Sequence, residues 1–346
     1  MSALFADRVL EWWDAHGRKD LPWQQNRNAY RVWVSEIMLQ QTQVSTVIPY
    51  FERFMDRFPA LVDLANADLD DVLSLWSGLG YYARCRNLHK AAGICMDVHG
   101  GALPNDVSVL ETLPGIGRST AAAIISQALD EPYAILDGNV KRLLARHAAV
   151  EGPPGSSALL KKLWAEAEQR LSDKRGADYT QAVMDLGATL CTARKPNCAT
   201  CPISGDCVAH QKDLVESFPN RKPAKKVPER STNMLIARNE AGEFLLERRP
   251  PSGIWGGLWC FPEFEQLELA GNQFDINIEK QDILPDYVHR FTHFQLTISP
   301  LLADCTQNNE AVASPGSHCW YTLDEALALG IPKPVRATLE AIGNIT

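Results

Sequence analysis

The sequence predicts a multidomain protein: an all-α body over residues 1–215, a basic linker over 216–230, and an α+β body over 231–346. Three observations predict it. Apolar residues recur at three- and four-residue steps through the first two thirds of the chain, the period of an amphipathic helix. A proline-rich stretch, ESFPNRKPAKKVPER, then breaks that period, because proline removes donors that helix and sheet both need. Beyond it, NMLIAR and EFLLERR, separated by NEAG, read as a β-hairpin.

The helical segments follow in order. FADRVLEWWDAH, VWVSEIMLQ, LDDVLSLWSGLG and ARCRNLHKAAGICMDVHG come first, then AAAIISQAL, VKRLLARHAAV, SALLKKLWAEAEQRL and DYTQAVMDLGATLC. HGGALPNDV and EGPPGSS break the run with Gly, Pro and Asn. In the second half HRFTHFQLTISPLLADC reads as extended chain, and DEALALG and VRATLEAIG as short helices.

A hydrophobic content of 45% and a charged content of 22% exclude a largely disordered chain, and 346 residues suffice for two or three cores. The net charge of −8 argues against bulk attraction to nucleic acid. That total hides an asymmetry. Through Arg230 there are 27 basic and 27 acidic residues; from Ser231 onward there are 7 and 15. Any nucleic-acid contact must therefore use local basic patches in the first half. No run approaches the ~18–20 apolar residues of a membrane span, and the N-terminus lacks the charged-then-apolar order of a signal peptide. A soluble, cytoplasmic protein with no membrane partner is expected.

Four motifs carry chemistry. The first is Cys191-x6-Cys198-x2-Cys201-x5-Cys207. Four soft thiolates in one short loop suit zinc or an iron–sulfur cluster, and spacing alone, with zinc slightly favoured, does not decide. Four unrelated core cysteines are a poor alternative, because Pro196, Asn197, Pro202 and Gly205 mark a loop with little core. The second is LPGIGRSTA at 113–121. Gly115 and Gly117 let successive amides converge on an anion at a helix start, as in a helix-hairpin-helix that grips DNA backbone. The bland reading, a Gly-rich turn capped by Ser119 or Thr120, is about as good. The third is LDGNVKR, with Asp137 at the start of a basic helix, where a plain N-cap is the commoner explanation. The fourth is SEIMLQQTQ, where apolar neighbours surround Glu36. Burial there would raise its pKa and make a proton donor, although glutamates usually face water.

Together and in this order, these motifs resemble the adenine DNA glycosylases, the MutY-like branch of the helix-hairpin-helix glycosylases. The resemblance covers essentially the whole chain and includes LPW at 21–23, VWVSEIMLQQTQV, GLGYYARCRNL, LPGIGRSTA, LDGNVKRLL and the cysteine loop. SEIMLQQTQV with YYARCRN is narrower than the rest, which endonuclease III-like relatives share in whole or in part. The resemblance implies an all-α helix-hairpin-helix glycosylase fold with the hairpin near 108–129, followed by a Nudix-like domain. It turns the metal reading to a [4Fe–4S] cluster on Cys191, Cys198, Cys201 and Cys207. It implies excision of adenine opposite 8-oxoguanine or guanine in double-stranded DNA, by a monomer that in a bacterial cell works at the nucleoid.

The same resemblance implies roles. Glu36 would protonate the flipped adenine at N7, and Asp137 would stabilise the sugar cation or form a transient adduct, as paired carboxyls do in glycoside hydrolysis. Asn139 would position the reacting groups. Trp23, Gln24 and Gln181 would read adenine; Gln41 and Tyr82 would wedge into the base stack. Gly115 and Gly117 would grip phosphate. Ser119 stands where strand-cutting relatives carry a lysine, so Schiff-base chemistry is not expected, with Lys141 the nearest other amine. In the second domain, Gly257-x5-Glu263 begins like a Nudix box, but GNQFDI at 271–276 holds a single acid, Asp275. A recognition domain is expected, with Phe291, Thr292 and His293 facing the oxidised guanine. The competing readings are an endonuclease III-like lyase, a DNA-binding scaffold and a nucleotide hydrolase.

Overall fold

The computed structural model describes residues 2–220, 227–291, 293–307 and 318–344. Thr292, one of the residues singled out above, lies outside them. The chain forms two bodies, residues 1–66 with 87–224, and 67–86 with 225–346.

The helices run in order as α1 (Ser2–His16), α2 (Ala29–Leu39), α3 (Val44–Arg57), α4 (Leu61–Asn66), α5 (Leu69–Trp76), α6 (Tyr82–Val98), α7 (Val107–Leu110), α8 (Arg118–Leu129), α9 (Gly138–His147), α10 (Ser157–Gln169), α11 (Gly176–Thr189) and α12 (Val208–Gln211). In the first body α2 packs on α8 and α3, and α11 packs on α1, α8 and α9. The apolar stripes drive this. Val9, Trp13, Leu143, Leu144, Leu163 and Leu186 share one core, and α2 buries Trp33, Val34 and Met38 completely. Side chains stop orphan amides at several helix starts: Asn28 accepts from the Arg31 amide at 2.9 Å and Asp137 from the Val140 amide at 2.7 Å.

The turn of residues 111–117 joins α7 to α8. Gly115 sits at φ +81°, and a Cβ there would lie 3.0 Å from the Cβ of Asn87. Only glycine holds that place without strain. Neither Ser119 nor Thr120 caps α8, contrary to the bland expectation. Gly117 is the N-cap, and the Ser119 hydroxyl instead accepts from the amide of Leu136 at 2.9 Å.

The second body is a mixed eight-stranded sheet with helices against it. Its strands are β1 (Glu229–Arg238), β2 (Phe244–Arg248), β3 (Trp259–Cys260), β4 (Glu263–Phe264), β5 (Ile276–Ile283), β6 (Tyr287–Arg290), β7 (Gln295–Gln307) and β8 (His318–Tyr321). The order β3-β2-β1-β7-β5 places β1 parallel to β7, from Glu229 opposite Gln295 to Arg238 opposite Asp304. Helices α13 (Leu267–Phe274), α14 (Leu323–Ala328) and α15 (Lys333–Gly343) complete it. Leu235, Leu245, Phe274 and Ile276 form its core. The expected hairpin is β1–β2, and the expected extended stretch falls in β6 and β7. Residues 67–86 join this body. Arg248 pairs with Asp70 at 2.6 Å, and the Ser77 hydroxyl donates to the Ile331 carbonyl at 2.8 Å.

Candidate active site

A cleft of about 690 Å³ opens in the first body. That volume lies within the ~300–1,000 Å³ of ordinary ligand sites. Glu36 from α2, Asp137 and Asn139 at the start of α9, Lys141 and Arg142 one turn on, Trp23, Gln41, Ser119 and Gln181 all line it. Residues separated by up to 158 positions thus meet around one hollow. The cleft is also lined by Arg18 and Gln40, which the sequence did not single out.

The two carboxyl groups are held differently. Glu36 is half-buried, and Gln127, 3% exposed, donates to its Oε1 at 3.1 Å. Burial pushes the Glu36 pKa up to about 7, the negative charge of Asp137 adds to the rise, and the Gln127 bond opposes it. Asp137 is also raised by burial, but the amides of Val140 and Asn139, the Arg142 charge and the Asn139 side chain all pull it back. Asp137 starts from the lower reference value and has more donors. Of the two, Glu36 is therefore the better placed to hold a proton and Asp137 to hold a charge.

Behind Asp137 runs a chain of contacts. Asn139 Nδ2 donates to Asp137 Oδ2 at 3.3 Å. Arg142 donates to Asn139 Oδ1 at 2.9 Å, to the Gly187 carbonyl at 2.6 Å and to the Cys191 carbonyl at 2.7 Å. Gly187 is buried, and a Cβ there would fall 2.8 Å from the Cβ of Asn139 and 2.9 Å from its carbonyl oxygen. α11 can lie against the start of α9 only because residue 187 has no side chain.

Also on α11, Asp185 is fully buried. Its oxygens accept from Trp13 Nε1 (3.2 Å), the Arg18 amide (2.8 Å), Arg18 Nε (2.9 Å), Arg18 Nη2 (2.6 Å) and Gln181 Nε2 (2.8 Å). The Gln181 NH2 is thereby committed, and its carbonyl oxygen is the end left for the cleft. Trp23 is buried edge-on to Phe51, with centroids 5.5 Å apart. Gln41 is exposed and adopts φ +60°, a conformation costing a non-glycine residue about 1–2 kcal/mol. Gln24 is not on the cleft wall; its amide nitrogen is buried without a hydrogen-bond partner.

The other residues lie elsewhere. Gly115 and Gly117 sit in the α7–α8 turn, next to the first turn of α8, whose leading amides have no partner within the helix. Tyr82 belongs to the second body, where its hydroxyl accepts from the Gly78 amide at 3.2 Å. Also in that body, Phe291 stacks on Phe294 with centroids 4.4 Å apart, and His293 meets Phe294 at 4.8 Å. Trp255 and His289 close on the Phe291 ring at 5.6 Å and 4.5 Å. The incomplete Nudix box is a short helix, α13, ending in Asp275 at φ +52°.

Cys191, Cys198, Cys201 and Cys207 border a second hollow in the first body. Among the described residues no three His, Cys, Asp or Glu side chains close on a single ion. Four soft thiol ligands around one hollow fit a metal centre held by sulfur. Burial and the neighbouring cysteines push the Cys201 thiol up to about 11, so thiolates gathered here need cationic iron. Arg146, 3% exposed, ties the loop down. It donates to the carbonyls of Thr192 (2.7 Å), Phe218 (2.9 Å) and Val215 (3.1 Å) and lies 3.3 Å from Cys191 Sγ.

Sequence reasoning missed Gln127, Asp185, Arg18 and the bridging role of Arg142. The available signal was a polar residue inside an apolar helical run, as in AAIISQAL and AVMDLG.

Family models match three stretches. One described as "HhH-GPD superfamily base excision DNA repair protein" covers residues 34–169, "Iron-sulfur binding domain of endonuclease III" covers 191–207, and "NUDIX domain" covers 233–341. The structure of a thermostable thymine-DNA glycosylase aligns with 61% of this chain and 97% of its own, at TM-score 0.56 and 25% identity. These findings place the first body in the class of helix-hairpin-helix DNA glycosylases with an iron–sulfur loop of the [4Fe–4S] type. The adenine DNA glycosylase of Buchnera aphidicola from Acyrthosiphon pisum is 40% identical over 340 residues, 97% of both chains. That of Homo sapiens is 34% identical over 93% of this chain and 70% of its own. The chain belongs to the adenine DNA glycosylase family. No described helix is long and apolar enough to cross a membrane.

Proposed function

We propose that this protein is a monofunctional DNA N-glycosylase that excises adenine opposite 8-oxoguanine or guanine and leaves an abasic site. The observation that carries this reading is the pair Glu36 and Asp137 on one cleft, both raised by burial, with the donors around Asp137 and the Arg142 charge opposing the rise there. Such a pair serves cleavage of a glycosidic bond; a scaffold has no use for it.

Adenine is out of reach inside a duplex and is flipped into the cleft at a cost of a few kcal/mol. Glu36 gives its proton to N7 of the base. The C1′–N9 bond breaks, its electron pair leaves with adenine, and the base departs neutral. The sugar is left as an oxocarbenium-like cation, which Asp137 stabilises as a neighbouring charge or a transient ester. Water adds at C1′, and its proton returns to the Glu36 carboxylate. Asn139 holds Asp137. Trp23 and Gln181 read the base, the Gln181 oxygen accepting from the exocyclic amino group. Gln41 and Tyr82 enter the stack, while the amides of Gly115 and Gly117 and the Lys141 ammonium hold phosphates. The Ser119 hydroxyl already accepts from the Leu136 amide, and a hydroxyl forms no imine. Phe291 and His293 face the lesion, and the protein acts as a monomer. The cluster supplies a rigid, charged anchor for the loop after α11; Arg142 and Arg146 hold its ligand segment.

The test is a single-turnover assay on duplexes pairing A, C or T with G or 8-oxoguanine. Release of adenine alone, without strand cleavage, is expected. Excision of pyrimidines, or nicked product before alkali, overturns the reading.

A further inference from the structure

We propose that Gln127 is a positioning residue that decides which oxygen of Glu36 carries the catalytic proton. The inference rests on the reading above and adds a residue to it. The Gln127 side chain is buried on α8, one helix away from the acid, and its NH2 group donates to Glu36 Oε1 at 3.1 Å. An amide nitrogen only donates, so Oε1 must act as acceptor. A protonated carboxyl has one acceptor oxygen of the carbonyl type and one hydroxyl. With Oε1 engaged, the hydroxyl is at Oε2, and Oε2 has no hydrogen-bond partner among the described residues. Glu36 lines the cleft, so the free oxygen is the one offered to a base. The rotation that would swap the two oxygens would set the acid proton against the Gln127 NH2, donor against donor.

The arrangement does a second thing. The bond favours the carboxylate over the acid, and so works against burial and Asp137, which both hold the proton on. Gln127 keeps Glu36 able to release its proton near neutrality. The other charged groups on the cleft walls are Arg18, Asp137, Lys141 and Arg142. Of the helices packed on α2, α8 carries Arg118, which pairs with Glu168 at 2.5 Å, and α3 carries Glu52, Arg53, Asp56 and Arg57, all exposed. None of these replaces the Gln127 donor.

The experiment uses full-length, cluster-loaded protein and single-turnover adenine release from pH 5 to 9. Wild-type release on A:G or A:8-oxoguanine duplexes tests the proposed function itself; without it that reading fails, whatever Gln127 does. Given wild-type activity, Gln127→Met keeps the volume and removes the donor. Its plateau rate should fall ~3–10-fold, and the pH at which activity declines should rise by ~0.5–1 unit, since a net hydrogen bond is worth about that much. A purely structural role would lower the plateau and leave the pH of decline in place, and that result overturns the proposal. Gln127→Glu is the second variant, of equal size. A like charge beside Glu36 should move the decline to higher pH still; a decline at the wild-type pH or below overturns the inference even if Gln127→Met does not fold.

Discussion

The two bodies hold their polar groups in opposite ways. In the first, ionisable groups are taken out of water and pinned: Asp185 accepts from three residues, Glu36 is fixed by Gln127, and Asp137 is braced by Asn139. In the second, the distinctive feature is a set of rings. Tyr287, His289, Phe291 and Phe294 follow one another along β6 and its turn, with Trp255 against them. Where a Nudix hydrolase needs a carboxylate helix, α13 carries only Glu268. Bond breaking demands protons held against solvation, whereas reading a flat base demands faces to lie on. The difference supports the proposed division, with chemistry in one body and recognition in the other.

Four measurements put this contrast to the test. The largest effect belongs to the carboxyl pair. Glu36→Gln and Asp137→Asn should each bind an A:8-oxoguanine duplex and lose ~10²–10⁴-fold in excision rate; near-normal turnover removes that residue from the mechanism. Next comes pH. Glu36 must be protonated to act, and its pKa lies at about 7. Excision should therefore hold below that value and fall about tenfold per unit above it. A rate that climbs between pH 7 and 9 would assign Glu36 the opposite task. Third, Asp185→Asn lets the Gln181 amide turn over. Preference for adenine over hypoxanthine, which presents a carbonyl in place of the amino group, should shrink ~10-fold in competition assays; an unchanged ratio would mean that Asp185 serves only folding. The smallest effect is in the second body. Phe291→Ala should cut the preference for 8-oxoguanine over guanine ~5-fold, about 1 kcal/mol of stacking, with A:G rates kept. Deleting the whole body would be a poorer test, because residues 67–86 pack within it.

Legibility in the sequence followed contiguity. The cysteine loop spans seventeen positions of continuous chain, so its spacing was readable, although the choice of iron over zinc needed the family. The α7–α8 turn and the incomplete Nudix box were readable for the same reason. Glu36 and Asp137 could each be seen as an acid in an unusual setting, but their meeting depends on α2 and α9 arriving at one cleft. Gln127 and Asp185 were not readable. Their partners lie 91 and 167 residues away, joined by the packing of α2 on α8 and of α1 on α11. A polar side chain in an apolar helix announces that it has a partner without saying which.

Gly187 bears no charge and touches no base in the scheme above, yet it decides how near α11 stands to Asn139. One added methyl there would push the brace off Asp137 while leaving every acid, amide and thiol of the chain intact. In genetic terms, if the proposed excision is this protein's task, such a change is a loss-of-repair allele disguised as a conservative one, because the lesion lies in the spacing of two helices and not in any reacting group.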